Sequence, residues 1–389
     1  MSLGLIPRVR VNYTFSDLLK AMFTSGKRRV VLQQCEAFFS DFFEREHVCL
    51  TPSARDAIYE VLVRLPQKKV LVPAYTCIAV VEAVKLANKE IVFCDTDTRT
   101  FNANYTEKIT PDSIVLATHQ YGLPCKIEEI AKKCKETGAV LIEDCATSMG
   151  TTINGKKTGT FGDYAVVSFN ASKLYNVPPA GGVLVSKNKE MVERIKREAD
   201  WKPSDFKFKV KSMIRGLAFV MTKNNFVYKL FHYLTIESKG KLQKTEHEKP
   251  AETKTDLYNY AFTEWQARIL YKQLQRTDYI FERRKQLYPF YDQGITTALV
   301  KKPVVDDNAV CCRYAIQTEN RNEFYRRCVA KGVDMDFSHC SLGCPDSYKP
   351  EHEVADRILN LPFYVSLSDK EVKKVIGVVN SIANEQQSI

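Results

Sequence analysis

No apolar run in this 389-residue sequence approaches the roughly 18 residues that a membrane-spanning helix needs. The opening MSLGLIPRVRVNY has none of the apolar stretch of a secretory signal. The 12 cysteines are scattered and include no CxxC pair, so the expectation is free thiols in a reducing cytoplasm. His339, Cys340 and Cys344 lie close in sequence, but without such a pair they do not make a zinc pattern, and no metal is expected. There is no internal repeat and no low-complexity tract. Zinc-finger, helix-turn-helix and aromatic-basic RNA motifs are also missing. A nucleic-acid partner is therefore not expected, despite a formal net charge of +11.

What is present reads as a globular chain. Apolar residues make up 44% and charged residues 26%, enough for a sizeable core without disulfide staples. The length fits about two to three domains. SDLLKAMF and CEAFFSDFFERE show helical spacing, so residues 1–47 are expected to be an N-terminal helical segment. Across 48–205, the Val- and Ile-rich runs KKVLVPAY, EIVFCD, SIVLAT, AVLIED, YAVVSF and GGVLVS are interleaved with helical stretches such as CIAVVEAVKLAN and KIEEIAKKCKE. That alternation predicts an α/β large domain, a mostly parallel sheet between helices. Ligands of such sheets gather beyond the carboxyl ends of the strands.

Residues 206–255 are expected to form a basic, apolar helical insertion and a polar linker. Met213, Ile214, Leu217, Val220 and Met221 fit one helix face; Phe226, Val227, Leu230, Phe231 and Leu234 fit a second, with Lys223, Asn224 and Asn225 turning between them. From Phe206 to Ile236 there are six Lys or Arg residues and no Asp or Glu. Residues 256–389 open with one long helical pattern, Thr263 to about Tyr288. A smaller α+β C-terminal domain is expected to follow, with a strand at RYAIQT and a last helix opened by a Ser368–Glu371 capping box.

Four segments carry chemistry. AVLIEDCATSMG ends a buried strand in Glu143 and Asp144, where an acid costs desolvation unless something pairs with it. A helix cap or buried ion pair explains one such acid. So does a pyridoxal cofactor, whose ring nitrogen a carboxylate keeps protonated. YAVVSFNASKLYNVPPAGGVLVS brings another strand to Ser168, with Lys173 five residues later in a loop of small residues before Gly181 and Gly182. That place suits a surface turn, or an amine that forms an imine with an aldehyde. CLTPSARDAIYEVL puts Ser53 at a helix N-terminus. It can act as a cap or open a phosphate site, where Arg55 would add a charge-assisted contact. LVPAYTCIAVVEAV ends a strand at Pro73-Ala74-Tyr75 and opens a helix near Thr76.

In order, SAR, PAYTC, HQYG, EDCATSMG, FGDYAVVSFNASK and GG, then YNY…Q and LNLPFY…LS, resemble the DegT/StrS-type sugar aminotransferases, which are fold-type-I pyridoxal-phosphate enzymes. The likeness runs from about residue 48 to 200 and from about 256 to 385. It implies an aminotransferase-like large domain that binds pyridoxal 5'-phosphate. Lys173 matches the Schiff-base lysine and Asp144 the acid on the pyridinium nitrogen. Ser168 matches a phosphate-binding serine, and Asn170 lies in the neighbouring cofactor loop. Ala54 and Arg55 fall where the family usually has Gly-Thr or Gly-Arg, whose N–H groups hold the phosphate. Asn259 matches an asparagine that reaches the partner subunit's phosphate, which implies a homodimer with shared active sites. The sequence departs from the family at Thr147, which replaces a Gln near the ring, and at Cys77, where an aromatic often stacks. Leu257 and Ala261 replace a Gly and an Arg.

The implied reaction moves an amino group from an amino-acid donor, glutamate in this family, to a keto sugar, usually nucleotide-linked. It would serve amino-sugar or surface-polysaccharide biosynthesis. Some relatives are sugar dehydratases, in which a histidine replaces the lysine; Lys173 speaks against that alternative. The apolar faces of 206–236, edged with Lys and Arg, suit packing on the protein's own body or at a dimer interface. They also suit peripheral contact with anionic lipid at the inner face of the membrane. The latter leaves open a membrane-associated binding or regulatory protein that keeps the fold without turnover.

Overall fold

The computed structural model describes residues 4–23, 28–237, 260–304, 306–337 and 342–386. Each of the six apolar runs becomes a strand. In chain order the strands are β1 His47–Thr51, β2 Lys69–Pro73, β3 Glu90–Cys94, β4 Ser113–Thr118 and β5 Val140–Asp144, then β6 Thr152–Ile153, β7 Lys156–Lys157, β8 Tyr164–Ser168 and β9 Gly182–Ser186. β6 and β7 make a small separate hairpin. The other seven strands form one sheet in the order β1-β9-β8-β5-β4-β2-β3. Neighbours from β3 to β8 run parallel, and β9 runs antiparallel to both β8 and β1.

Helices cover both faces, which is why the strands read as unbroken apolar runs rather than alternating ones. On one face, helices Ala54–Leu62, Ile78–Leu86 and Lys189–Glu198 set Ile58, Val61, Val80, Val84 and Ile195 against Val70, Leu116, Ile142, Val166 and Leu184. On the other, helices Arg28–Phe43 and Glu264–Leu274 set Phe39, Phe43, Ala267 and Leu270 against Leu50, Ala165, Val167 and Val183. A second sheet pairs β10 Tyr314–Gln317 antiparallel to β11 Ile358–Leu361. It packs with Tyr291, Phe324, Val375 and Val379 in a separate cluster.

Two features differ from the sequence expectations. The long helix after Thr263 is two helices, Glu264–Leu274 and Thr277–Gly294. They break at Arg276, whose φ of −117° and ψ of 21° are not helical. The Thr277 hydroxyl holds the break by donating to the Leu274 carbonyl (2.7 Å). Among the described residues of the N-terminal segment, an irregular stretch in which Ile6 bridges to Val333 precedes helices Phe15–Phe23 and Arg28–Phe43. In the basic insertion, helix Phe206–Met221 does form, and the Asn224 side chain caps a second helix, Asn225–His232. Asn225 therefore lies in that helix rather than in the turn. The first helix face splits: Met213, Leu217 and Val220 pack on the core, while Ile214 and Met221 are exposed. The last helix, Asp369–Gln386, opens as expected, with Glu371 N–H donating to Ser368 Oγ (3.3 Å) and Ser368 N–H to Glu371 Oε2 (3.1 Å).

Candidate active site

Strand register gathers the singled-out residues at one end and on one face of the large sheet. Thr51, Gly182 and Ser168 form one row across β1, β9 and β8. Thr118, Asp144 and Val166 form a row across β4, β5 and β8. Directly paired residues share a face, and so do residues two apart on a strand. Asp144, Ser168, Gly182 and Thr51 therefore face the side covered by helices Ala54–Leu62 and Ile78–Leu86.

The same rule sends Glu143 to the opposite face, where its carboxylate is fully engaged. Glu143 Oε1 accepts the N–H groups of Phe161 (2.7 Å) and Gly162 (2.6 Å), and Oε2 accepts that of Gly159 (2.8 Å). His119 Nε2 lies 3.2 Å from Oε2, while His119 Nδ1 accepts the Cys125 N–H (3.2 Å). The imidazole proton is therefore on Nε2, facing Glu143. His119, Glu143 and Cys145 have ligand atoms within 4.8 Å of one another; the Glu143 oxygens and His119 Nδ1 already accept the hydrogen bonds just described. Of the His339, Cys340 and Cys344 group, the first two lie outside the described residues. Cys344 Sγ lies 3.7 Å from His352 Nε2.

Asp144 is buried and far less engaged. Its Oδ1 accepts the Ala146 N–H (3.0 Å), and among the described residues Oδ2 accepts none. Burial pushes its pKa up, while the Ala146 N–H and the positive charge of Lys173 act against that rise. Lys173 is thus near enough for its charge to act on Asp144 from the loop that follows β8. That loop is fastened from behind. Asn176, itself buried, donates to the carbonyls of Lys173 (2.8 Å) and Ala171 (3.3 Å). Gln273 grips the Asn176 backbone on both sides, accepting its N–H (3.0 Å) and donating to its carbonyl (2.7 Å).

The third element is the N-terminus of helix Ala54–Leu62. Ser53 Oγ accepts the Asp56 N–H (3.1 Å). The N–H groups of Ala54 and Arg55 point out of the first turn with no acceptor among the described residues. Gly182 lies directly against this turn: a Cβ there would come within 2.6 Å of the Ala54 nitrogen, so only glycine permits the approach. The Arg55 side chain itself pairs with Glu82. Cys77 sits at the N-cap of helix Ile78–Leu86, half-buried. Thr147 Oγ1 donates to the His119 carbonyl (2.7 Å), and Asn170 Oδ1 accepts the Ala171 N–H (2.6 Å). Tyr75, fully buried, shares a hydrogen bond with Tyr121 (2.7 Å between hydroxyls). Asn259 and Leu257 lie outside the described residues.

Residues 14–380 match the DegT/DnrJ/EryC1/StrS aminotransferase family. The chain belongs to that family. Its cofactor is accordingly pyridoxal phosphate, and the site fits it. Asp144 offers an open carboxylate oxygen to a ring N–H⁺, Lys173 an amine in the same electrostatic field, and Ser168 with two unused helix N–H groups a phosphate cradle. GDP-perosamine synthase of Escherichia coli O157:H7 is 25% identical over 372 residues, 90% of each chain. The dTDP-4-dehydro-2,3,6-trideoxy-D-glucose 4-aminotransferase of Saccharopolyspora spinosa is 24% identical, covering 80% of this chain and 77% of that protein. The fold matches that of Helicobacter pylori PseC, an aminotransferase involved in the biosynthesis of pseudoaminic acid, with a TM-score of 0.73 at 14% identity, over 98% of this chain and 100% of PseC.

Two residues that hold the Lys173 loop of this aminotransferase were not singled out from sequence. Asn176 looks like any polar loop residue, and its role depends on Gln273, 97 positions away. Arg313, one residue before β10, donates to the Ser172 hydroxyl (3.1 Å) beside Lys173 and pairs with Asp336. Burial alone would lower the Arg313 pKa, but the charge and hydrogen bond of Asp336, with Cys312 and Tyr121 nearby, together outweigh it and raise the pKa.

Proposed function

We propose that this aminotransferase transfers an amino group from glutamate to a keto sugar carried on a nucleotide. The observation that carries the reading is a buried Asp144 with one carboxylate oxygen satisfied, at the same end of the sheet as the Lys173 loop and an open helix N-terminus. Bound pyridoxal phosphate supplies the electron sink that transamination requires. The rest falls to this chain's residues. Lys173 Nζ would hold the cofactor covalently and, as a free amine, would be the base that takes the proton from the donor's Cα. Asp144 keeps the ring nitrogen protonated. Ser168 and the N–H groups of Ala54 and Arg55 hold the phosphate, with the helix dipole adding to the attraction.

Arg313, fixed by Asp336 and next to the lysine loop, is the group we assign to the donor's carboxylate, since a planar guanidinium takes a carboxylate through two parallel hydrogen bonds. A nucleotide-linked acceptor is supported by the GDP- and dTDP-sugar relatives and is compatible with the +11 charge. Asn259 is proposed to reach the phosphate in the partner subunit of a homodimer.

The test is a half-reaction. Glutamate added to the cofactor-loaded protein should release one 2-oxoglutarate per Lys173 and shift the cofactor's absorption to the amine form. Nucleotide-linked keto sugars should then restore the starting spectrum. Absence of 2-oxoglutarate would remove glutamate as donor. Failure of every nucleotide-sugar to restore the spectrum would remove the proposed acceptor.

A further inference from the structure

Helix Phe206–Met221 is apolar on two sides: Met213, Leu217 and Val220 pack on the core, and a second set of apolar residues faces outward. It buries Phe208, Ser212 and Gly216 and exposes Phe206 by 82%, Ile214 by 62% and Met221 by 62%. Gly216 lets the helix lie close to the body, since a Cβ there would come 3.1 Å from Pro178 and 3.2 Å from Leu18. At about 100° per residue, Phe206, Val210, Ile214 and Met221 line a single stripe. Lys209 borders it on one side, and Lys207 and Lys211 on the other.

The next helix repeats the arrangement. Helix Asn225–His232 buries Tyr228 and His232. These are fastened by Tyr228 Oη donating to Asp334 (2.5 Å) and by the His232–Tyr325 hydrogen bond (3.1 Å). The outer side shows Phe226 at 67%, Leu230 at 55% and Leu234 at 56%, with Lys229 alongside. A groove of about 480 Å³ continues the apolar surface between Met22, Val210, Ile214 and Trp265.

We propose that this helical hairpin is a docking surface for an anionic lipid bilayer. Apolar stripes bordered by lysines match a membrane interface: the hydrocarbon side chains enter the acyl boundary, and the lysine stems reach back to the phosphates. The segment Phe206 to Ile236 holds six cations and no acid, which is complementary to an anionic surface. A second copy seated with this segment directly on its two-fold mate would set six cations against six, which makes it a poorer occupant in that arrangement. Among the described residues no helix is long and apolar enough to cross a membrane, so the contact is peripheral. The proposal stands apart from the reaction proposed above and does not rest on it.

Flotation of the cofactor-loaded full chain with vesicles tests it. Binding to phosphatidylcholine vesicles containing phosphatidylglycerol should exceed binding to phosphatidylcholine alone by at least about tenfold and weaken with salt. Ile214→Glu with Leu230→Glu, and separately Lys207, Lys209 and Lys211→Gln, should each reduce binding about tenfold while the half-reaction persists. No vesicle binding by the unaltered chain, or unchanged binding by both variants, would overturn the proposal. It also fails if Ile214→Glu with Leu230→Glu turns a dimer into a monomer by light scattering, because a second copy then covers the face. If binding appears only after residues 238–259 are removed, the chain's own segment is the occupant and the proposal is wrong.

Discussion

Glu143 and Asp144 are neighbours on one strand and face opposite sides of the sheet. Three backbone N–H groups and His119 surround Glu143, whereas Asp144 takes a single N–H. The first therefore holds the 159–162 turn, and the second keeps an oxygen that accepts no hydrogen bond among the described residues, which we assign to the cofactor's ring nitrogen. Glu143→Gln should lower the unfolding free energy by about 3 kcal/mol, since a buried charge-assisted network loses its charge. Asp144→Asn should leave stability near the unaltered value and reduce kcat on the order of a hundredfold or more, because the ring-nitrogen partner is lost. Urea unfolding and steady-state rates on both variants separate the roles. Equal activity losses in the two would contradict the assignment.

Asn176 is a positioning residue for the Lys173 loop. Asn176→Ala leaves the Ala171 and Lys173 carbonyls without their donor and should cost about 1–3 kcal/mol of stability. It should also slow covalent capture of added cofactor, followed as growth of the imine absorption band. If the band grows at the unaltered rate while stability falls, Asn176 only supports the fold.

Arg313→Met should raise KM for glutamate about tenfold or more, with a smaller change in kcat, as expected when a charge-assisted carboxylate contact is removed. Asp336→Asn should do the same more weakly, because it frees the guanidinium to move. An unchanged KM in Arg313→Met would assign this arginine to packing.

The Arg10–Glu371 pair ties the N-terminal segment to the last helix, at 2.7 Å and 3.1 Å. Burial pushes the Glu371 carboxyl up, but Arg10, the Ser368 N–H and Asn225 outweigh it and bring its pKa to about 2, from an ordinary 4.5. A depressed native pKa stabilises the fold above the unfolded value and loses that contribution as pH falls through the native one. The stability difference between the unaltered chain and Glu371→Gln should be full at pH 7, shrink below about 4.5 and vanish near 2. Denaturation across that pH series measures it; a difference that does not change with pH would contradict the pairing.

The strands were legible because both faces of the sheet are covered, so VLIED and YAVVS are written in apolar residues that end at the side chains proposed for the site, Asp144 and Ser168. Their motif order carried Lys173, Asp144 and Ser168. The different tasks of Glu143 and Asp144 were hidden, since alternation says they diverge but only the sheet's order shows which face meets the helix N-termini. Asn176 and Arg313 act through partners distant in sequence, Gln273 and Ser172, which no local pattern marks. The break at Arg276 depends on Thr277, whose hydroxyl meets both the Leu274 carbonyl and Tyr175. The hairpin's apolar residues were visible, yet helical spacing groups Ile214 with Met213, and packing divides them.

The most direct test of the central claim is to reduce the cofactor-loaded protein with borohydride, digest it and map the product by mass spectrometry. The account predicts a phosphopyridoxyl group on Lys173, formed in Asp144→Asn as well but absent from Lys173→Ala. A stable adduct on another lysine, with Lys173 unmodified in saturated protein, would contradict it.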